Sequence, residues 1–190
     1  MYVDNDTSDH ELVIGALEDA DNFGHIIDRY EKPLDRYIKS ISGAKPDDRQ
    51  DLLQEIFLSV YQNLRGYKPS MKFSSWVYRI AHNRTISWWR KHKRELTDIS
   101  VEEHIDFVAT LFNENNIEQD IEQDHLVAAT KYALANVKEQ YRQILILGFW
   151  EEKSYKEISV IMNSSVGTVG TRMKRAKKQF INKFKEYEQN

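Results

Sequence analysis

The chain has 190 residues, of which 41% are hydrophobic and 30% charged, with a formal net charge of −3 and no cysteine. A disulfide framework and a thiolate metal site are therefore excluded, and no apolar run approaches the roughly 18 residues of a membrane span. Few Gly and Pro and no period-two alternation predict an all-α fold. The acidic N-terminus lacks a signal-peptide pattern, so we expect a cytoplasmic protein without membrane insertion.

The first predicted elements are three short helices before residue 43. One begins near Ser8 or Asp9, and its expected apolar residues are Leu12, Ile14 and Leu17. A pair of helices is expected over about residues 19–42, where apolar residues keep helical spacing. Pro33 suits the first turn of the second member of that pair.

The next predicted helix reads DLLQEIFLSVYQNL over residues 51–64, with Asp47 or Asp48 as its expected N-cap. Its apolar residues recur at spacings of three and four and form one stripe. Asp51, Gln54 and Glu55 fall on the opposite, acid-amide face. Taken by itself, that face is ordinary solvated surface.

A Gly- and Pro-containing loop over residues 65–74 precedes a helix predicted over residues 73–94. Arg79, Asn83 and Arg90 share one face of this helix. Residues 72–94 carry seven Lys or Arg and no Asp or Glu, so the helix is expected to face something negative. Together with a second basic helix near the C-terminus, this makes DNA the expected partner.

Residues 95–125 carry ten Asp or Glu and no Lys or Arg. This composition predicts an acidic linker over residues 95–120. Its few apolar residues indicate either a local cluster or docking on another surface. The expected fold is therefore two small helical domains, residues 1–94 and 121–190, joined by residues 95–120.

The second domain contains the pattern of a helix-turn-helix over residues 154–180. Ser154 and Glu157 have capping-box spacing, Asn163 suits a left-handed helix end, and Ser164 or Ser165 caps the next helix. Thr168, Thr171 and Arg172 then project outward near the start of that helix, where base edges are read. The remaining alternative for this block is a helical hairpin with a basic tail.

Both halves together resemble the bacterial RNA polymerase sigma factors. DLLQEIFLSVYQNL…FSSWVYRIAHNR resembles their domain two, and QYRQILILGFWEEKSYKEISVIMNSSVGTVGTRMKRAKKQF resembles their domain four. The order of the halves and the short connector are similar to the extracytoplasmic-function (ECF) group. Gly170 departs from the family, which often has a basic residue there.

The resemblance implies a non-enzymatic role in transcription initiation, without cofactors. It implies binding to the largest and second-largest subunits of core RNA polymerase, to promoter DNA and to an anti-sigma factor. The polymerase-binding residues it implies are Asp51, Gln54 and Glu55. Those for the minus-ten element are Lys72, Ser74, Arg79, Asn83, Arg84 and Arg90. Those for the minus-thirty-five element are Ser165, Val166, Thr168, Thr171, Arg172 and Arg175.

Other functions have weaker support in the sequence. The six histidines show no metal-ligand spacing, and no nucleophile elbow, P-loop or dinucleotide fingerprint occurs. Trp76 and Trp88 stand at core spacing, whereas Trp89 suits either base stacking or a covered apolar edge. A free-standing helix-turn-helix regulator and a helical interaction protein are the alternatives to a sigma factor.

Overall fold

The computed structural model describes residues 7–92 and 121–189, and the regular structure in those ranges is entirely helical. The predicted all-α fold is confirmed. The first half contains α1 (Asp9–Glu18), α2 (Phe23–Ser42), α3 (Pro46–Asn63) and α4 (Phe73–His92), with 3-10 turns at Ala20–Asn22 and Leu64–Gly66. The second half contains α5 (Ile121–Asn136), α6 (Glu139–Phe149), α7 (Tyr155–Ile161) and α8 (Val166–Glu188).

Helix α1 begins as predicted, but its buried side differs from the expected one. Ser8 caps the helix in a capping box with Glu11, whose carboxylate accepts the Ser8 backbone N–H at 2.7 Å. The buried apolar side chains are Leu12, Val13 and Ala16. Ile14 and Leu17 are each 42% exposed, because a 100° rotation per residue turns them away from that stripe.

Helix α2 is a single helix of 20 residues, so the predicted pair of helices is wrong. Pro33 lies inside it and removes one backbone hydrogen bond. A continuous buried stripe on both sides of the proline offsets that loss: Ile26, Tyr30, Leu34, Tyr37, Ile38 and Ile41. The helix ends at Gly43, whose φ of 65° is the left-handed conformation that favours glycine.

Helix α3 begins at Pro46 with Lys45 at the N-cap position, so the predicted Asp47 or Asp48 cap is wrong. Proline at the first helical position needs no backbone N–H partner, which lets the helix start early. The two aspartates instead occupy the first turn, where the helix dipole favours negative charge. Helix α4 begins at Phe73, and the predicted end near residue 94 lies outside the described residues.

The second half is built around α8, which packs against α5, α6 and α7. Gly148 permits a close approach between α6 and α8, because a Cβ there would lie 2.6 Å from Met173 Cε. The first described helix of this half is α5, and the domain boundaries expected from the sequence remain predictions. The predicted linker over residues 95–120 lies outside the described residues.

The two halves touch each other directly. Helix α4 packs against α7, and α2 packs against α6. Buried apolar residues from both halves form one continuous cluster, which runs from Leu12 to Ala176 in the sequence. The sequence pattern gave no indication of this contact. Among the described helices, none has a stretch long and apolar enough to cross a bilayer.

Candidate nucleic-acid and protein interfaces

The acid-amide face of α3 lies on the surface as predicted. Asp51, Gln54 and Glu55 are all exposed. Beside them runs an open groove of about 600 Å³, lined by Phe23, Ile27, Glu31, Gln50, Leu53, Gln54, Phe57, Leu58 and Tyr61. A surface that combines exposed carboxylates with an apolar groove has the make-up of a protein-binding site.

The groove exposes two large apolar residues that the sequence analysis did not single out. Leu58 is 57% exposed, and Tyr61 is 46% exposed. The Tyr61 ring makes an edge contact with Phe23, with ring centroids 5.1 Å apart, so its position is fixed. Both residues are large and apolar but fall outside the buried stripe of α3. This mismatch between residue type and helix face could have indicated their exposure from the sequence.

The segment between α3 and α4 is held by an aromatic cluster rather than left open. Tyr67 packs on Phe73 and Trp76, with ring centroids 5.2 and 5.5 Å apart. Its hydroxyl donates to the Met71 carbonyl at 2.7 Å. The sequence analysis did not predict that Tyr67 holds this segment. An aromatic residue inside a Gly- and Pro-containing loop could have indicated such a packing role. The predicted Ser74 lies in the first turn of α4, not in the loop.

The predicted cationic residues of α4 remain largely accessible. Asn83, Arg84 and Arg90 are exposed, while Arg79 and Ser74 are partly buried. Arg84 also reaches back to α3. It donates to Ser59 Oγ at 3.1 Å, and its guanidinium lies 3.8 Å from the Glu55 carboxylate. The predicted minus-ten and polymerase surfaces therefore adjoin at this pair.

Beneath the α4 surface lies a buried polar pair. The Tyr37 hydroxyl and His82 Nδ1 are 2.8 Å apart. Burial, and then the positive charge of Arg90, lower the pKa of His82 to about 4. The imidazole is therefore neutral at pH 7 and supports α4 from inside. Trp76 and Trp88 pack against the core, as expected from their spacing.

The helix-turn-helix forms over α7 and α8 as predicted. Ser154 caps α7 in a capping box with Glu157, and Asn163 has a φ of 48° in the turn. Ser165, rather than Ser164, caps α8 by accepting the Thr168 backbone N–H at 3.1 Å. Two capped helices joined by a short turn are the arrangement expected of a helix-turn-helix.

The start of α8 presents the predicted base-reading residues to the outside. The exposed ones are Ser165, Val166, Thr168, Thr171 and Arg175. Arg172 is partly buried, and its guanidinium donates to Ser164 Oγ at 3.3 Å. Exposed hydroxyls and guanidinium groups at a helix N-terminus suit contacts to DNA bases and phosphates.

A second apolar groove opens between α5, α6 and α8 and was not predicted. Its volume is about 510 Å³, and its lining is Thr130, Leu134, Leu145, Phe149, Trp150, Lys177, Phe180 and Ile181. Phe149 is 55% exposed, and Lys177 Nζ lies 5.0 Å from the centre of its ring. An exposed aromatic residue in an open apolar groove is typical of a protein-binding surface. No potential metal-binding group of three or more His, Asp or Glu occurs within the described residues.

Comparison with known proteins identifies both halves. The sigma-70 region 2 family matches residues 26–95, and the sigma-70 region 4 family matches residues 129–180. The first contains α3 and α4, and the second contains the helix-turn-helix. The matches therefore fall on the two surfaces described above, in that order along the chain.

Curated relatives extend the similarity over most of the chain. The ECF RNA polymerase sigma factor SigW of Bacillus subtilis is 28% identical, over 84% of this chain and 87% of its own. SigM of the same organism is 29% identical, over 81% and 90%. The ECF sigma-E factor of Escherichia coli K12 is 27% identical, over 91% and 93%.

Solved structures share the fold. CnrH, in its complex with the cytosolic domain of CnrY, aligns with a TM-score of 0.64 at 20% identity, covering 93% of this chain and 96% of CnrH. RpoE from Bartonella quintana, in complex with the anti-sigma factor NepR, aligns with a TM-score of 0.61 at 18% identity, covering 86% and 97%. Both sigma-70 regions match in order, and the three relatives named above are ECF sigma factors that align over most of their own length. The chain therefore belongs to the sigma-70 family, as a sigma factor of the ECF group.

Proposed function

We propose that this protein binds core RNA polymerase, directs it to promoters and helps to open the minus-ten region. The ordered pair of sigma-70 regions, each carrying an exposed cationic helix, is the observation that carries this proposal. Two weak DNA contacts on one tethered body raise each other's effective concentration. Their spacing on the polymerase then selects promoters. The protein is not an enzyme in this scheme, since the polymerase performs the chemistry.

The polymerase contact is assigned to the α3 face. Asp51, Gln54 and Glu55 dock on the clamp helices of the largest subunit. Leu58 and Tyr61 supply the apolar centre of that contact, because interface centres are rich in apolar and aromatic residues and are surrounded by a polar rim. The groove between α5, α6 and α8 is assigned to the second-largest subunit, on the same reasoning.

The minus-ten contact is assigned to α4 and the loop before it, through Lys72, Ser74, Arg79, Asn83, Arg84 and Arg90. A melted strand is bound by cationic grooves and aromatic faces. The concentration of Lys and Arg in this segment, over a rigid aromatic cluster, supports that role.

The minus-thirty-five contact is assigned to the first turns of α8, through Ser165, Val166, Thr168, Thr171, Arg172 and Arg175. Their exposure at a capped helix N-terminus supports reading of duplex DNA in the major groove. Residues 1–94 and 121–190 act as the two functional domains, with residues 95–120 as the acidic connector.

Control by an anti-sigma factor is part of the proposal. CnrH was solved with the cytosolic domain of CnrY, and the Bartonella quintana RpoE with the anti-sigma factor NepR. The two exposed apolar grooves of this chain are suitable surfaces for such an inhibitor. A sigma factor acts where its polymerase is, so we place the protein in the cytoplasm.

Run-off transcription with purified core polymerase tests the proposal. Addition of this protein should produce new promoter-specific transcripts, and absence of such transcripts contradicts a sigma factor role. A free-standing helix-turn-helix regulator would instead bind duplex DNA tightly without polymerase. That alternative is not favoured, because it leaves the region 2 match unexplained.

A further inference from the structure

The first residue of α1 is bonded to two residues of α2. The Tyr30 hydroxyl donates to Asp9 Oδ2 at 2.7 Å, and the Arg29 guanidinium donates to Asp9 Oδ1 at 3.2 Å. Burial, and then the hydrogen bond to Asp9, raise the pKa of Tyr30 far above its ordinary value, so the hydroxyl stays protonated and acts as a donor. Both oxygens of one carboxylate therefore hold α1 against α2.

The ring of Tyr30 extends this connection to the start of α4. It makes an edge contact with Phe73, the first residue of α4, with ring centroids 5.8 Å apart. The buried Phe73 in turn makes an edge contact with Tyr67, with centroids 5.2 Å apart. Edge contacts between aromatic rings have a preferred geometry, so the position of one ring restricts the next. A continuous path of contacts therefore runs from Asp9 to the segment between α3 and α4.

The path ends in the loop that is assigned to the minus-ten element. The Tyr67 hydroxyl donates to the Met71 carbonyl at 2.7 Å, and the Met71 N–H donates to the Lys68 carbonyl at 3.2 Å. These bonds close the loop, while residues 68–70 and the predicted DNA-binding residue Lys72 remain exposed. A loop that is ordered before it binds loses less conformational entropy on binding. Its shape can therefore be set in advance for an unpaired base.

Helix α1 also contacts this region directly. It packs against the 3-10 turn at Leu64–Gly66 and against α4. Burial, and then the charge of Asp9, raise the pKa of Tyr67, as expected for a carboxylate close to the phenol. The sigma-70 region 2 match begins at residue 26, so α1 lies outside it. The match to region 2 therefore assigns no role to α1.

We propose that Asp9 and Tyr30 are positioning residues for minus-ten recognition, which hold the aromatic path so that the loop keeps the shape that selects an unpaired base. This inference rests on the minus-ten function proposed above for the loop and α4. Neither residue touches DNA in this scheme. Helix α1 then contributes to promoter reading as well as to the core of the first half.

Three substitutions interrupt the path at different points. Asp9→Ala removes the acceptor, Tyr30→Phe removes only the donor hydroxyl, and Tyr67→Phe removes the last bond of the path. The matched control is Asp35→Ala, at an aspartate of α2 that is not part of the path. Asp35 also accepts from an arginine, Arg49 Nε at 2.7 Å, and its side chain is 35% exposed against 32% for Asp9.

Methyl NMR of the free protein measures the state of the loop. The chain has four methionines, of which Met71 lies in the loop, whereas Met162 and Met173 lie in the second half. With isotope-labelled methionine methyl groups, the Met71 signal should shift or broaden in all three path variants. The other two signals, and the Met71 signal of Asp35→Ala, should match the parent. An unchanged Met71 signal in Tyr30→Phe overturns the positioning role.

Run-off transcription with core polymerase measures base preference, on a barcoded promoter library that is randomised at both elements. Sequencing of the transcripts gives the minus-ten and minus-thirty-five preferences separately. In Asp9→Ala and Tyr30→Phe the minus-ten preference should fall on the order of threefold, since the loss of one hydrogen bond changes an equilibrium by at most about tenfold. The minus-thirty-five preference should stay unchanged. A general loss of stability would instead lower transcription from all templates alike.

The outcomes separate this inference from the function on which it rests. Absence of promoter-specific transcripts with the parent contradicts the sigma factor role and, with it, the inference. Promoter-specific transcription by the parent, with an unchanged minus-ten preference in Tyr30→Phe, contradicts the positioning role alone. An equal fall in Asp35→Ala, or a parallel fall in the minus-thirty-five preference, also contradicts the positioning role.

Discussion

Arg172, in the second turn of α8, donates a hydrogen bond to Ser164 Oγ at 3.3 Å, just before the start of the same helix. The bond links the recognition helix to the turn that precedes it. Arg172 is partly buried, and one of its guanidinium nitrogens is engaged in this bond. The residue predicted to read the minus-thirty-five element therefore also orients the helix that carries it.

Substitution of Arg172 separates these two roles. Loss of a base contact typically costs about 1–3 kcal/mol, so Arg172→Ala should reduce minus-thirty-five binding on the order of tenfold or more. Ser164→Ala leaves the guanidinium in place and should weaken binding much less. Promoter selectivity of the reconstituted polymerase is the measurement. Unchanged selectivity with Arg172→Ala rejects base reading, and equal losses for both variants indicate a purely orienting role.

Asn83 should contribute to promoter opening more than to polymerase binding. It is exposed on α4 and is not among the residues that line the α3 groove. Asn83→Ala removes an amide that can hydrogen-bond an unpaired base, while the polymerase-binding face is unchanged. Permanganate footprinting should show reduced melting, and a pull-down with core polymerase should show normal binding. Equal loss in both assays would count against this role.

Leu58 should act as an apolar anchor for the polymerase. At 57% exposed it contributes little to the core, but it lies in the α3 groove. Truncation of an interface anchor costs about 1–2 kcal/mol or more, so Leu58→Ala should weaken binding to core polymerase on the order of tenfold. Ile14→Ala, at an apolar position of α1 that is 42% exposed, is the matched control. Loss of affinity in both variants, or in neither, contradicts a specific anchor.

Local sequence signals were sufficient for most helix boundaries, because capping and spacing act over a few residues. The Ser154–Glu157 capping box and the left-handed Asn163 both appear where the pattern placed them. The exceptions are the start of α3, which lies at Pro46 before the expected Asp47 or Asp48 cap, and the course of α2. Pro33 is a local signal for a helix start, but burial along the whole stripe outweighs the missing hydrogen bond.

Contacts distant in sequence could not be predicted in the same way. Tyr78 and Glu151 are 73 residues apart, and neither the pattern of α4 nor that of α6 specifies the other. The grooves were missed for a related reason, since exposure of Leu58 and Phe149 depends on how neighbouring helices cross. The residues assigned to DNA and polymerase were located by resemblance, and their roles remain predictions.

The buried His82 should make stability depend on pH. Its pKa is about 4 in the folded protein, against an ordinary value of 6.5. Between these values the unfolded chain binds a proton that the folded protein does not, so the free energy of unfolding falls as pH falls. The stabilisation is complete above about pH 6.5 and is lost as pH approaches 4.

The size of this effect can be measured by denaturant unfolding. One pKa unit corresponds to about 1.4 kcal/mol, so the loss between pH 7 and pH 5 should be on the order of 2 kcal/mol. His82→Gln retains a hydrogen-bonding group beside Tyr37 but cannot be protonated. The variant should therefore lose less stability over the same interval. Equal pH dependence in the variant and the parent would show that His82 is not the titrating group.

Gly170 should be replaceable by alanine with a gain in stability. It lies inside α8, where glycine costs up to about 1 kcal/mol relative to alanine. An added Cβ would meet only the Tyr155 ring, at an ordinary contact distance of 3.8 Å. Gly170→Ala should therefore raise the unfolding temperature by about 2–4 °C for a chain of this size.

Gly148→Ala is the informative comparison for that measurement. Its Cβ would lie 2.6 Å from Cε of Met173, a side chain that is only 2% exposed and has little room to move. The gain in helix propensity should then be outweighed by disturbed packing between α6 and α8, so the unfolding temperature should fall. Differential scanning calorimetry of both variants measures the two changes in unfolding temperature. A similar rise in both would show that Met173 yields without cost, and no rise for Gly170→Ala would show that the glycine is required by the recognition helix.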